Sequence, residues 1–222
     1  MYGVDFDPAS TDPASVIGAV FTSVGRVDGK RRFRKGHRIT VEDLPDLVRV
    51  EHHLHLAQFD PDDVHEDDAA LALAQAIAGP GIEVRRPIQS RVNLMAARRG
   101  LLRIDAATVI ALNKVPGVSV FTLLDGIAVV PGKNVAGAKI APVAISRSVL
   151  DDALALASQG TIVTVKPFLP KRVAVISTEG LEDAVRERFR SAVEKKISWY
   201  GSSVTGFTDL PDDVPMVAKA LE

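Results

Sequence analysis

The fold class is decided by the stretch Lys171-Arg-Val-Ala-Val-Ile-Ser-Thr-Glu-Gly180. Its continuous β-branched run, Arg172–Ser177, is typical of a buried strand in a parallel sheet. After a turn, the pattern predicts an amphipathic helix at residues 181–196 and a second strand at residues 202–207. Ligands of open α/β sheets lie beyond the carboxyl ends of the strands, so residues 177–180 are the first predicted site.

The preceding part of the chain predicts a mixed, mostly β module. Apolar periodicity and Gly or Pro punctuation predict helices at residues 40–47, 64–78, 106–113 and 148–158. Residues 14–27 predict one early strand, and Arg91–Ala96 with Gly100–Ile104 predict a hairpin. The proline-bounded segment Lys166-Pro-Phe-Leu-Pro170 predicts a linker, so we expect domains at residues 1–165 and 166–222, with an α/β (α+β overall) fold.

The composition of the chain excludes several classes of partner and of chemical site. The 222 residues carry a formal net charge of -1, so no global field would attract nucleic acid or an anionic membrane. The absence of cysteine excludes disulfides, thiolate metal sites and cysteine nucleophiles. The first 13 residues lack the basic-then-apolar order of a signal peptide, and no apolar run approaches the roughly 20 residues of a membrane helix. We therefore expect a cytoplasmic protein.

Ser177, Thr178, Glu179 and Gly180 allow two interpretations. Ser or Thr in this turn can cap the helix that follows. The same helix N–H groups can instead bind an anion or a substrate hydroxyl. The turn lacks the spacing of a P-loop or of a dinucleotide-binding glycine motif.

Three polar segments of the preceding module also allow two interpretations each. The acidic run 62–68 with His65 suits a hard metal ion or, alternatively, the positive end of a helix dipole. Residues 51–55 contain three histidines, but only His53 and His55 share a strand face, and zinc needs three or four convergent ligands. Residues 30–38 hold six basic side chains, which form either an oxyanion site or a solvated turn.

An ordered series of segments resembles the molybdopterin-binding proteins related to the molybdenum insertase of molybdenum-cofactor biosynthesis. The segments span nearly the whole chain and each is individually short. They are Arg34-Lys-Gly-His-Arg-Ile-Thr-Val-Glu-Asp-Leu44, Asp63-Val-His-Glu-Asp-Asp-Ala-Ala70, Arg91-Val-Asn-Leu94, Gly100-Leu-Leu-Arg-Ile-Asp105, Leu112-Asn-Lys-Val115, Gly137-Ala-Lys-Ile-Ala-Pro-Val-Ala-Ile145 and the unit that begins at Lys171.

The resemblance implies a mixed, mostly β module followed by a three-layer, parallel-sheet molybdopterin-binding domain. It implies that Ser177, Thr178, Glu179 and Gly180 line the pterin pocket, with Asp212 and Asp213 as the acidic pair before the next helix. The family's glycine-rich phosphate motif would follow the last strand, so we expect this chain to be the front portion of such a protein, inactive alone. We also expect a homo-oligomer, in which a second copy covers the incomplete sheet.

The implied function is binding of molybdopterin, with molybdate and Mg²⁺ as possible further ligands, during molybdenum-cofactor assembly. Transferase-type activity would belong to the full-length protein and would rest on positioning and charge stabilisation. The alternative is a non-catalytic dimerising or sensor module that binds a pterin or another anion as a regulatory ligand. The expected contacts to phosphate or molybdate are Lys35, Arg38, Arg91 and Asn93.

Overall fold

The computed structural model describes residues 1–222 and divides into two compact units, Met1–Lys166 (unit 1) and Pro167–Glu222 (unit 2). The predicted α+β class is confirmed, because several small sheets and six α-helices share the chain. The linker prediction is wrong at its start, because a strand runs through Pro167.

Unit 1 is built from short strands and four α-helices. Its strands are β1 (Tyr2–Phe6), β2 (Val20–Phe21), β3 (Gly25–Val27), β4 (Lys30–Phe33), β5 (Leu54–Gln58), β6 (Asp63–His65), β7 (Ile82–Val84), β8 (Arg91–Ala96), β9 (Gly100–Ile104), β10 (Val118–Thr122), β11 (Ala128–Val129), β12 (Asn134–Ile140), β13 (Ala144–Ser146) and β14 (Val163–Pro167). Its helices are α1 (Leu44–Leu47), α2 (Glu66–Ile77), α3 (Ala106–Leu112) and α4 (Arg147–Ala157), with 3₁₀ turns at Pro13–Val16 and Val41–Asp43.

The strands of unit 1 form five small sheets. Their orders are β1-β5-β2, β10-β12-β8-β7, β11-β9-β14, β13-β6 and β3-β4. Helix α2 packs against β8, β12 and α4 because its small residues permit close approach. Ala69, Ala70, Leu73 and Ala74 are fully buried along one face, as an amphipathic helix requires. A second core, made by residues of the first 56 positions, includes Phe6, Phe21 and Phe33.

Two predicted strand assignments in unit 1 are wrong. Residues 14–27 do not form one strand: the Asp12 side chain accepts the Ala14 N–H at 3.0 Å and starts a 3₁₀ turn, and Gly18 at φ +88° ends it. Strands β8 and β9 exist but do not form a hairpin. Instead β8 pairs with β7 and β12, and β9 pairs with β11 and β14.

Gly100 explains how β9 can pair with β14. A Cβ atom at that position would lie 2.2 Å from the Lys166 carbonyl oxygen, so glycine alone permits this close approach of the β14 backbone. The pairing of β9 with β14 joins residues more than 60 positions apart, so no local sequence pattern predicts it. The predicted hairpin of β8 with β9 was based on their proximity in sequence.

The predicted basic turn begins as a strand. β4 forms a hairpin with β3 through Asp28 and Gly29, whose φ angles of 50° and 74° are those of a primed two-residue turn. Only the residues from Arg34 onward leave the strand, and they continue towards the 3₁₀ turn and α1.

Unit 2 contains β15 (Arg172–Ser177), α5 (Asp183–Trp199), β16 (Ser203–Asp209) and α6 (Val214–Leu221). The predicted strand–helix–strand order is confirmed, and β15 pairs with β16 in parallel. The prediction that β15 is buried is wrong within this chain, because the strand has one neighbour and only Ser177 is buried. Neither α5 nor α6 has a buried residue.

Candidate functional site

The loops after β15 and β16 lie side by side at one edge of unit 2. Ser177 pairs in register with Asp209, and its carbonyl oxygen accepts the Leu210 N–H at 2.9 Å. Thr178 is half-buried, while Glu179 and Gly180 are exposed. The structure therefore places these four predicted pterin-lining residues at the carboxyl edge of the two-stranded sheet.

The capping role expected for Ser177 or Thr178 is wrong. Helix α5 begins at Asp183, and its N-cap residue is Glu182, which makes no side-chain capping bond. The loop from Thr178 to Leu181 is instead closed by a 2.7 Å bond from the Leu181 N–H to the Glu179 carbonyl oxygen.

The two residues of the predicted acidic pair in unit 2, Asp212 and Asp213, have different surroundings. Asp213 caps α6, because its Oδ1 accepts the Met216 N–H at 2.9 Å. Asp212 is exposed beside it. Capping by Asp213 leaves only part of its carboxylate free for a ligand.

Sequence reasoning missed a charged group at the same edge. Asp209 ends β16, and its Oδ2 lies 3.4 Å from both Arg186 Nε and Arg190 Nη2 on α5. Arg190 also lies over the Phe207 ring at 5.2 Å. The available signal was the four-residue spacing of the two arginines, which puts them on one helix face.

The larger candidate site is in unit 1, and we call it the cationic cavity. Its volume is about 540 Å³. Its walls are Arg32 of β4, residues 34–37 of the following turn, Glu66 and Asp67 at the start of α2, and the loop from Pro87 to Gln89. Of the four predicted anion contacts, only Lys35 lines it.

The basic side chains that line this cavity differ in whether an acidic partner neutralises their charge. Arg32 pairs with Asp46, and Lys35 lies 3.5 Å from Glu66 Oε2. Arg34 lines the cavity, and its side chain forms no ion pair or hydrogen bond. Its guanidinium is therefore available to an anionic ligand.

Glu66 is the unusual group of the cavity. Its side chain is only 3% exposed, and its Oε2 accepts no hydrogen bond. Burial raises the pKa of the Glu66 carboxyl above its ordinary value, while the Lys35 ammonium opposes that rise. Lys35 approaches Oε2 no closer than 3.5 Å, so the Glu66 carboxyl group is stabilised by an ion pair and not by a well-formed hydrogen bond.

Two histidines hold the cavity walls together. His65 Nδ1 accepts the Asp67 N–H at 3.2 Å and caps α2, so the proton is on Nε2, which donates to the Gly36 carbonyl oxygen at 3.0 Å. His37 Nε2 lies 2.8 Å from Asp43 Oδ2. Both contacts join the basic turn to a helix or a helical turn.

Asp43 anchors the end of the basic turn. Burial favours its neutral form, but hydrogen bonds from the Thr40 N–H, His37 and the Thr40 hydroxyl outweigh burial and lower its pKa below the ordinary value. The Thr40 N–H and hydroxyl donate to Asp43 Oδ2 at 2.9 and 3.1 Å, which caps the start of the helical segment predicted at residues 40–47.

The third wall is a strained loop. Gln89 and Ser90 are consecutive non-glycine residues in the left-handed region, with φ angles of 51° and 64°. The buried Ser90 is held there because its N–H donates to Asp67 Oδ1 at 2.8 Å. The two residues form a primed two-residue turn, across which Ile88 and Arg91 exchange backbone hydrogen bonds of 2.9 and 3.2 Å.

The other predicted anion contacts lie elsewhere in unit 1. Arg38 lies over the Phe59 ring at 5.2 Å. Arg91 lies over the Phe121 ring at 4.5 Å, and its Nε donates to Asn93 Oδ1 at 2.9 Å. The structure does not bring Arg38, Arg91 or Asn93 into the cationic cavity.

No group of three or more His, Asp or Glu residues in the chain is arranged to hold a metal ion. In the acidic run, His65 caps α2, Glu66 is buried and Asp67 supports the Ser90 loop. The exposed His53 and His55 contact Asp7 and Asp5 in separate pairs.

None of the six helices combines the length and the apolar character that crossing a bilayer would require. The longest helix, α5, is a surface helix without a buried residue.

Comparisons with family models, with curated proteins and with solved structures found no match to this chain.

Proposed function

We propose that this chain binds a phosphorylated pterin of the molybdopterin class and serves in molybdenum-cofactor assembly, with the phosphate in the cationic cavity. The observation that carries this proposal is Arg34, an uncompensated guanidinium that lines a cavity of about 540 Å³ beside Lys35. Arginine suits phosphate because its planar donors can bind two oxygens together.

The position of the cavity gives independent support. Two segments that carry the family resemblance, 34–44 and 63–70, supply most of its walls, although they are separate in sequence. The strained loop at Gln89 and Ser90 immediately precedes a third such segment, 91–94. Convergence of these segments on one concave site is expected if they share a ligand.

The role proposed for the chain is positioning. Arg34 and Lys35 would bind the phosphate, and the rigid contacts of His37 and His65 would fix the turn that bears them. In a longer protein of this class, such binding would orient the pterin for metal insertion or nucleotidyl modification. Independently of the cationic cavity, the Ser177–Gly180 loop and Asp212 are proposed as a pterin-binding edge within unit 2.

The direct test is an anaerobic titration of the purified chain with molybdopterin, followed by calorimetry. We expect saturable binding that Arg34→Gln weakens by about tenfold or more, since a hydrogen-bonded charge contact is lost. Arg31→Gln is the matched control, because Arg31 is an exposed neighbour on β4 outside the cavity. No binding by the natural chain, or equal losses in both variants, contradicts the proposal.

A second candidate is a non-catalytic dimerising module, favoured by the exposed apolar side chains of unit 2. Val214 is 81% exposed and Leu221 is 74% exposed on the same short helix, α6. Apolar side chains clustered in this way indicate an interaction surface. We propose that a second copy covers them.

Sedimentation velocity of the chain and of Val214→Lys tests this candidate. A dimer that Val214→Lys dissociates supports it, with Lys219→Ala as the control on α6. A monomer at all concentrations contradicts it and leaves the ligand-binding proposal intact.

A further inference from the structure

A second cavity of unit 1 adjoins the cationic cavity, and we call it the apolar cavity. Its volume is about 400 Å³. Its walls are residues 1–3, Thr22, Lys35, residues 55–57 of β5 and residues 141–143. An apolar cavity of roughly 150 Å³ already holds a benzene ring, so the apolar cavity has room for a ring system.

The apolar cavity lies on the face of the β1-β5 pair that carries Gly3 and Ala57. These two residues pair in register, and residues directly opposite each other share a face of a sheet. The next pair, Val4 and Leu56, points to the other face and packs into the second core of unit 1. A Cβ atom at Gly3 would meet no atom within 4 Å, so the missing side chain leaves open space above the buried Ala57.

The two cavities meet at Lys35, which lines both of them. Its ammonium nitrogen lies 3.5 Å from Glu66 Oε2 in the wall of the cationic cavity, so its aliphatic stem is the part left to line the apolar cavity. The Glu66 N–H also donates to the Val143 carbonyl oxygen at 2.9 Å, which joins a wall of one cavity to a wall of the other. The Lys35 side chain is 39% exposed and Gly3 is exposed, so a ligand reaches both cavities from solvent.

Cations and apolar surface side by side suit a ligand in which an anionic group is joined to a ring. We propose that the apolar cavity is a subsite for the ring of an aromatic phosphate monoester, whose phosphate is bound by Arg34 and Lys35 in the cationic cavity. The inference rests on the proposed function in one respect, namely that a phosphate group occupies the cationic cavity. It adds that a ring next to the phosphate contributes affinity, and that the absence of a side chain at Gly3 provides the space for it.

The contribution expected from the ring is large enough to measure. Burial of on the order of 60 Å² of apolar surface corresponds to about tenfold in affinity. An aromatic side chain buries roughly 150 Å² or more when it is fully enclosed, so partial burial of a phenyl ring suffices for that gain.

Calorimetric titrations with methyl, phenyl and benzyl phosphate test the proposal, because the two ring esters hold the ring at different distances from the phosphorus atom. The natural chain is expected to bind at least one ring ester about tenfold or more tighter than methyl phosphate. Gly3→Leu fills the apolar cavity without changing a charge, so it is expected to abolish this advantage and to leave the affinity for methyl phosphate unchanged.

Gly160→Leu is the matched control for Gly3→Leu. Neither glycine has a positive φ, and a Cβ atom at either position meets no atom within 4 Å. Gly160 lines neither cavity, so its variant is expected to keep the full advantage of the ring esters. Should Gly3→Leu fail to fold, Gly3→Val decides, because valine is favoured in strands and fills part of the same space.

The outcomes separate this proposal from the proposed function. Equal affinity for the three esters overturns the subsite, and so does a ring advantage that the Gly3 variant retains. A ring advantage that the Gly3 variant abolishes supports the subsite, and absence of molybdopterin binding then overturns the proposed function alone. Failure of all three esters to bind overturns both the subsite and the placement of phosphate in the cationic cavity.

Discussion

The Lys35 ammonium nitrogen lies 3.5 Å from Glu66 Oε2, and that buried oxygen accepts no hydrogen bond. The ion pair compensates the charge of Glu66 only in part. The Lys35 side chain is 39% exposed, so its ammonium group remains hydrated. Burial therefore raises the pKa of the Glu66 carboxyl group in spite of the ion pair. This relationship makes the stability of unit 1 depend on pH.

Replacement of Glu66 by glutamine is expected to stabilise the empty protein at neutral pH. The folded-state pKa of Glu66 lies above its unfolded value of about 4.3, so ionising it costs stability as the pH rises through that interval. Glu66→Gln cannot ionise and should exceed the natural chain in unfolding free energy by roughly 1–3 kcal/mol at pH 7, and equal it below about pH 4. Urea denaturation at both pH values measures this. A variant less stable than the natural chain at pH 7 contradicts the assignment of Glu66 as an uncompensated group.

Asp43 is expected to show the opposite dependence on pH. Its folded-state pKa lies below the unfolded value of about 3.9, so its contribution is complete above that value and is lost as the pH falls through the folded pKa. Asp43→Ala removes the acceptor of the Thr40 bonds and should cost about 1–2 kcal/mol at pH 7. Asp46→Ala, which breaks exposed ion pairs three residues away, is the control and should cost less. Thermal unfolding of both variants from pH 7 to pH 3 checks the difference.

Gly36 provides a test of the cavity that does not alter any charge. Gly36 has φ +81°, and a Cβ atom there would lie 2.8 Å from Glu66 Oε1. Gly36→Ala is expected to weaken phosphate binding by about tenfold or more, because the methyl group and the displaced Glu66 side chain would alter the cavity that Arg34 and Lys35 line. Gly29→Ala is a matched control: Gly29 has φ +74°, and a Cβ there meets no atom within 4 Å. Both variants carry similar backbone strain, so equal binding by the two contradicts the placement of the ligand.

Local structure was predictable from sequence where its causes are local. Thr40 and Asp43 are three residues apart and form a capping interaction, and Asp105 caps α3, so both predicted helical segments, 40–47 and 106–113, begin at a local cap. The strand–helix–strand order of unit 2 follows from a change of hydrophobic period, which residue type alone determines.

The candidate site was only partly predictable, because contacts distant in sequence create it. The acidic run was expected to serve a helix dipole or a metal, yet Glu66 is buried because Gly36, 30 residues earlier, packs against it. Lys35 was selected from charge, but Arg38 and Arg91 carry the same charge and lie over aromatic rings elsewhere. Which member of a basic cluster faces a cavity depends on strand pairing and the turns between strands, and sequence spacing does not determine these.

Competition between molybdopterin and inorganic phosphate for the natural chain tests the central claim most directly. The account predicts that phosphate displaces bound molybdopterin completely, with an inhibition constant equal to the phosphate dissociation constant measured alone. Molybdopterin binding that phosphate leaves unchanged at saturating concentration would contradict the claim, because the pterin phosphate would then occupy some site other than the cationic cavity.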